Sequence, residues 1–220
     1  MKFFLKIILY LILFSAVFFF FYMILEKISP MDFSSNWAWY LSRSSGILGY
    51  IFLWLTILLG LAIRNPLLKK IYNFDTHCFL GAASVFWSLV HGTSLLFDPM
   101  IKFGVGDIAI PFFSQNTIVD PVYMGLGIFA FYFLAIITIT SYLRANLYNW
   151  FWRVLHFLNP VAFVFVVLHG YFNGTDINNN FFIGSSYLFS AFVLVLVYVI
   201  NLIVAIVRKI ENKEMDRHSV

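Results

Sequence analysis

Apolar residues in this chain run in blocks. Six long windows, roughly 5–25, 46–63, 76–97, 121–143, 154–172 and 181–207, are separated by short stretches that hold nearly all the charged residues. Each window is close to the ~20 residues that a helix needs to cross the hydrocarbon layer. The loops between them are too short for a second folded domain. The pattern therefore predicts an all-α, six-transmembrane-helix bundle with both faces of the membrane served by loops.

Composition agrees with that reading. The 220 residues are 62% hydrophobic and 11% charged, with a mean hydropathy of +0.89, which excludes an ordinary soluble domain. The first window could pass for a signal peptide, but its apolar core runs beyond the usual ~7–15 residues and no clear cleavage site follows, so a retained helix is expected. The single cysteine, Cys78, rules out an internal disulfide and cannot build a thiolate metal site alone.

Charge placement orients the bundle. A net charge of +4 and a pI near 9.1 invite a nucleic-acid partner, but the basic residues follow topology instead. Lys2, Lys6, Arg64, Lys69, Lys70, Arg144, Arg153, Arg208, Lys209, Lys213 and Arg217 fall on one side of the predicted membrane, and only Lys27, Arg43 and Lys102 on the other. The positive-inside rule puts both termini in the cytoplasm of a multi-pass protein of the cell (inner) membrane. Lipid is the expected surrounding partner, and no nucleic acid.

The chemistry lies in two stretches, HCFLGAASVFWSLVH and HFLNPVAFVFVVLH. His77 and His91 are fourteen residues apart in the third window, and His156 and His169 thirteen apart in the fifth. A lone intramembrane histidine often serves only helix–helix hydrogen bonding; two pairs at nearly equal spacing ask for more. Fourteen residues of helix rise about 21 Å and thirteen about 19.5 Å. Both windows run in the same direction, so His77 faces the level of His156 near the inner surface, and His91 that of His169 near the outer. Paired rings at two depths suit two bis-histidine haems, held between the third and fifth helices. At about 100° per residue the first pair shares one face, but the second is about 140° out of line. Asn159-Pro160 lies between them, where a bend can bring the rings round.

Neighbouring residues add weaker signals. Gly81, Ser84 and Ser88 lie on the His77 face, where small side chains suit either a flat cofactor or close helix packing. Arg153, one turn before His156, is a candidate partner for the carboxylates of an inner haem, and Arg43 for an outer one. Trp150 and Trp152 read as interface anchors, and Asn73, Asp75 and Thr76 as the start of the third helix. Phe163 and Phe165 fall between the two levels, and with 28 phenylalanines in the chain packing is the simpler reading.

With these residues in view, the chain resembles the ferric reductase-like transmembrane domain family, which includes the membrane halves of ferric-chelate reductases and NADPH oxidases and the haem subunit of the methionine sulfoxide reductase system. The histidine quartet carries the likeness. SSGILGYIFLWLTILLGLAIRNP, DPVYMGLGIFAFYFLAIITITS and WRVLHFLNP resemble the family's second helix, its fourth, and the start of its fifth. The resemblance implies haem b as cofactor, two per chain, with His77 paired to His156 and His91 to His169 as iron ligands. It divides the chain into a first helix and outer loop (1–42), a haem-binding core (43–172), an outer loop and sixth helix (173–207) and a cytoplasmic tail (208–220).

The oxidases and ferric reductases continue into a flavin and nicotinamide domain. This sequence has no GxGxxG segment and stops thirteen residues after its last window. It reads as an oxidoreductase component, with flavin or quinone supplied by a partner or the membrane. The expected donor is a cytoplasmic flavin reductase or a quinol. The expected acceptor, at the outer face, is a ferric complex, a small oxidant or a partner protein, beside the long segment DPMIKFGVGDIAIPFFSQNTIVDP. The alternative is a cytochrome b anchor subunit of a quinone-linked complex, such as a methionine sulfoxide reductase-like system. A remoter one is a histidine-dependent metal or proton transporter.

Overall fold

The computed structural model describes residue 23 and residues 33–218, apart from 64, 67, 100, 117, 175, 176, 178 and 179. The predicted first helix, Met23 aside, lies outside the described residues, as do Lys2, Lys6, Lys27 and Arg64. Among the described residues there is no strand. Five spans of these residues are long and apolar enough to cross a membrane: Asn36–Ala62, Phe74–Phe97, Pro121–Tyr142, Asn149–Asn173 and Phe181–Glu211. The chain is an integral, multi-pass membrane protein.

In chain order the helices are α1 (Phe33–Ala62), α2 (Phe74–Ser94), a short α3 (Val105–Ala109), α4 (Pro121–Tyr142), α5 (Asn149–His156), α6 (Asn159–Asn173) and α7 (Phe181–His218). The second to sixth apolar windows thus correspond to α1, α2, α4, α5 with α6, and α7. Helix α1 starts well before its window because its serines are compatible with burial. Ser42, Ser44 and Ser45 are all buried, and the Ser45 hydroxyl returns to the Leu41 and Ser42 carbonyls of its own helix.

Local signals set the helix ends. Asn73 caps α2, its side chain accepting from the Thr76 N–H at 2.9 Å. Asp120 caps α4 by accepting from Val122 and Tyr123, with Pro121 at the first helical position. Both amide atoms of Asn173 engage the Asp120 backbone, at 3.0 and 3.1 Å, which clasps the end of α6 to the start of α4. The fifth window bends as its proline predicts. After α5 the Leu158 N–H bonds the Leu155 carbonyl at 3.0 Å, three residues back, before α6 resumes with Pro160 in its first turn. A tighter turn advances about 120° per residue instead of 100°, which narrows the angular mismatch between His156 and His169.

The helices assemble as two hairpins. α1 packs along α2 and α4 along α6, while contact between the two pairs is sparser. Gly49 of α1 lies so near Ser88 that an added Cβ would stand 3.0 Å from its hydroxyl. Ser84 and Ser88 therefore serve the α1–α2 contact, which is the helix-packing reading of that small-residue face. At mid-depth the hairpins and α7 share a core of Leu53, Leu134, Ala162, Phe163 and Leu194.

Helix α7 is joined to α1 by polar contacts: Tyr50 with Ser190 at 2.7 Å, Trp54 Nε1–H to the Ser190 carbonyl at 2.7 Å, and Asn65 to Asn201 at 2.9 Å. Between membrane helices such bonds contribute roughly 0.6–2 kcal/mol each.

The long connection between α2 and α4 folds back onto α4. Phe103 packs with Met124 and Ile128, and the Tyr132 hydroxyl donates to the Ala109 carbonyl at 2.6 Å. Tyr132 is eleven residues into α4, about 16 Å along its axis, so this segment lies against the spanning part of the helix. Phe112 takes a positive φ of 62° and lays its ring on Gly125, where any Cβ would collide.

Candidate functional site

The four histidines meet as two facing pairs. The His77 and His156 rings have centroids 6.0 Å apart with an interplanar angle of 58°. Those of His91 and His169 are 6.1 Å apart at 76°. Each pair joins α2 of one hairpin to α5 or α6 of the other. The first lies toward the end carrying the short basic connections, the second toward the long α2–α4 connection. All four residues are half-buried.

Their hydrogen bonds define which ring nitrogen is protonated. His77 Nδ1 lies 3.0 Å from the Thr56 carbonyl oxygen, His91 Nδ1 2.8 Å from that of Ser42, and His169 Nδ1 2.9 Å from that of Tyr123. A carbonyl can only accept, so in these three rings Nδ1 carries the proton and Nε2 the lone pair. For His156 the neighbour is the Ser141 hydroxyl, at 3.5 Å. That hydroxyl already donates to the Ile137 carbonyl at 2.7 Å, so it accepts from His156 and the same tautomer follows. Every ring thus keeps Nε2 as a potential metal ligand with its other nitrogen anchored, the usual arrangement of ligating histidine.

The spacing suits one metal ion per pair. Imidazole–metal bonds of about 2 Å on either side, with each ring centre about 1 Å beyond its nitrogen, put the centroids about 6 Å apart. Among the described residues no group of three or more His, Cys, Asp and Glu side chains gathers, so neither level offers the closed ligand set of a structural divalent-metal site. Two facing imidazoles without a third side-chain ligand are a donor set that would suit a macrocycle-bound metal.

The family described as "Ferric reductase like transmembrane component" matches residues 45–168, more than half of the chain. The chain belongs to that family. No curated protein and no solved structure matches it. Domains of the ferric reductase-like family generally bind haem, and the matched stretch contains Thr56, Tyr123 and Ser141 as well as all but the last residue of the quartet's span, His169.

Glycine makes room for three of the four rings in this ferric reductase-like protein. A Cβ on Gly127 would lie 2.6 Å from the His169 ring, on Gly46 3.0 Å from His91, and on Gly60 3.3 Å from His77. Each glycine is four residues after the residue whose carbonyl takes the histidine proton: Ser42 and Gly46, Thr56 and Gly60, Tyr123 and Gly127. In a helix the carbonyl of residue i bonds the N–H of residue i+4. A glycine there bares the second lone pair of that carbonyl to a ring from the neighbouring helix. The motif was visible in the sequence as three glycines, yet only the packing shows which ring each one admits.

Side chains build the surroundings of His156. Trp152, one turn earlier on α5, stacks on its ring with centroids 4.9 Å apart and planes 24° from parallel, and its Nε1–H donates to the Ser141 hydroxyl at 3.3 Å. The Arg144 guanidinium covers the other partner, 4.3 Å from the Trp152 ring centroid. Trp152, expected as an interface anchor, is half-buried and stacks on a ring of the quartet; Trp150 stays exposed.

Of the two arginines singled out by sequence, Arg153 is exposed on α5. Arg43, next to Ser42, lies 3.9 Å over the Trp39 ring. Phe163 stacks on Tyr50 and Phe165 on Phe133, both as packing residues. Phe165 also lines an apolar groove of about 430 Å³ with Phe112, Phe129 and Phe133.

Proposed function

We propose that this protein is a transmembrane electron carrier that binds two b-type haems. One is held by His77 and His156 near the cytoplasmic face, the other by His91 and His169 near the outer face. The observation that carries this reading is the pair of facing imidazoles at each level, 6.0 and 6.1 Å apart, with every Nδ1 engaged and every Nε2 left as the ligating nitrogen. Bound there, haem would supply a one-electron iron couple, and an iron held by two imidazoles would favour electron transfer over binding of oxygen.

The chain's own residues fix where the ligands stand. Thr56, Ser42, Tyr123 and Ser141 hold the Nδ1 protons, and Gly46, Gly60 and Gly127 let three of the rings approach the helix backbone. Arg153, three residues before His156, and Arg43, beside Ser42, are the cations suited to carboxylates at the two levels. The basic residues Lys69, Lys70, Arg144 and Arg153 support a cytoplasmic orientation for the His77 and His156 end. The donor is a cytoplasmic flavoprotein or a quinol. The acceptor is a ferric complex, an oxidant or a partner protein reached from the outer face.

The test is the haem-to-protein ratio of the detergent-purified chain, read as the pyridine haemochrome beside a reduced-minus-oxidised spectrum. Two haems b per chain are expected. A chain supplied with haem during expression that takes up none overturns the proposal.

A further inference from the structure

We infer that Trp152, Ser141 and Arg144 are positioning residues that set the reduction potential at the His77 and His156 level, making it easier to reduce than the level of His91 and His169. The inference rests on the haem reading above and deepens it. Three histidines give their Nδ1 proton to a main-chain carbonyl at 2.8–3.0 Å. His156 alone gives it to a hydroxyl, at 3.5 Å, and shares that acceptor with the Trp152 indole.

A strong acceptor on the far nitrogen pushes electron density toward the metal-binding one and makes it more basic. That favours the more positive, oxidised metal. The long contact to Ser141 provides less of this effect, so His156 is the least electron-rich of the four ligands.

Charge acts in the same direction. The guanidinium of Arg144 lies over the Trp152 ring, and the same ring stacks on His156. Arg144 stands in the exposed turn between α4 and α5, and the half-buried indole and imidazole beyond it keep its charge from being fully screened at the site. It disfavours any added positive charge on the His156 side and so stabilises the reduced state of a metal held there. Arg43, the cation beside the other level, likewise sits on a tryptophan, Trp39, so the difference between the two levels rests on the acceptors of the Nδ1 protons.

The device is local in sequence. Ser141, in the last turn of α4, and Arg144, Trp152 and His156, in the stretch that leads to α6, lie close together in the chain, whereas the other three histidines reach carbonyls 21, 46 and 49 residues away. This short stretch can change its tuning without disturbing the helix packing that holds the other rings.

The experiment is a redox titration of the purified full-length chain, wild type against Arg144→Gln, Trp152→Leu and Trp152→Phe, with low-temperature paramagnetic resonance of the oxidised haems. The couple belonging to the His77 and His156 level is the one that survives in His91→Leu. Arg144→Gln is expected to lower the midpoint of that couple and leave the other unmoved, with both haems retained. Trp152→Leu should lower it too and alter the resonance signature of that haem alone; Trp152→Phe, which keeps a stacking ring, should restore most of the wild-type signature. Equal shifts of both couples, or no shift in Arg144→Gln with two haems bound, overturn the inference and leave the haem reading standing. A wild-type chain that binds no haem overturns both.

Discussion

The two histidine levels are built differently. Toward the long α2–α4 connection, both rings rest on main-chain carbonyls, at 2.8 and 2.9 Å, and each lies over a glycine. Toward the basic connections one ring does the same at 3.0 Å, while the other depends on a serine hydroxyl and a tryptophan face. A main-chain acceptor belongs to the helix and survives a change of side chain, whereas a side-chain acceptor can be removed by a single substitution. The first level is thus fixed by the fold and the second is open to adjustment.

Substitutions can break this contrast at four strengths. Removing a ligand should have the largest effect: His91→Leu or His169→Leu is expected to reduce the haemochrome ratio from two to one, with the remaining haem spectrally normal. Loss of neither haem would sink the pairing.

Filling a glycine site comes next. Alanine normally favours a helix over glycine by about 1 kcal/mol, but forced overpacking costs roughly 1–3 kcal/mol. Gly127→Ala, with a Cβ 2.6 Å from the ring, should therefore lose most of the haem held by His169. Gly46→Ala should lose less, and Gly60→Ala, at 3.3 Å, least. The order across the three, read from haem content, is the check; a flat series would mean that the rings shift freely.

Ser141→Ala deletes the side-chain acceptor and should weaken haem retention at the His156 level by about 10- to 100-fold, the usual range for loss of a supporting hydrogen bond to a metal ligand. Haem transfer to apomyoglobin from wild type and variant measures it. The smallest effect is expected for Ser42→Ala. It removes a hydroxyl 3.2 Å from His91 Nδ1 but leaves the carbonyl, and the same transfer assay should show a rate within about twofold of wild type. A large change there would mean that the hydroxyl, not the backbone, orients His91.

Most of the helical architecture was legible because a bilayer demands long apolar runs, and five of those runs coincide with spanning helices. The histidine pairs were legible for a similar reason, since ionisable rings stand out in an apolar segment. The bend after α5 could be expected from Pro160, which lacks the N–H a straight helix would need. The acceptors were hidden because every residue carries a carbonyl. Nothing in the letters Ser42, Thr56 or Tyr123 marks their backbone oxygens, and only the glycine four positions on hints that one is bare. The stacking of Trp152 on His156 was not legible, because tryptophan near a membrane surface has a common role as an anchor and the contact depends on how the stretch from Ser141 to His156 folds.

The hairpin arrangement has a consequence for biogenesis. His77 and His91 are anchored to α1, the helix before their own, and His156 and His169 to α4, again the preceding partner in the same hairpin. Each half can therefore orient its own rings as it enters the bilayer, before the other half is in place. What remains for the last stage is to bring two finished surfaces together, and a flat prosthetic group arriving then would act as the adhesive between them. On this view the mid-depth core that the hairpins share would already join them in the apo-chain, and cofactor supply would tighten the two levels on either side of it.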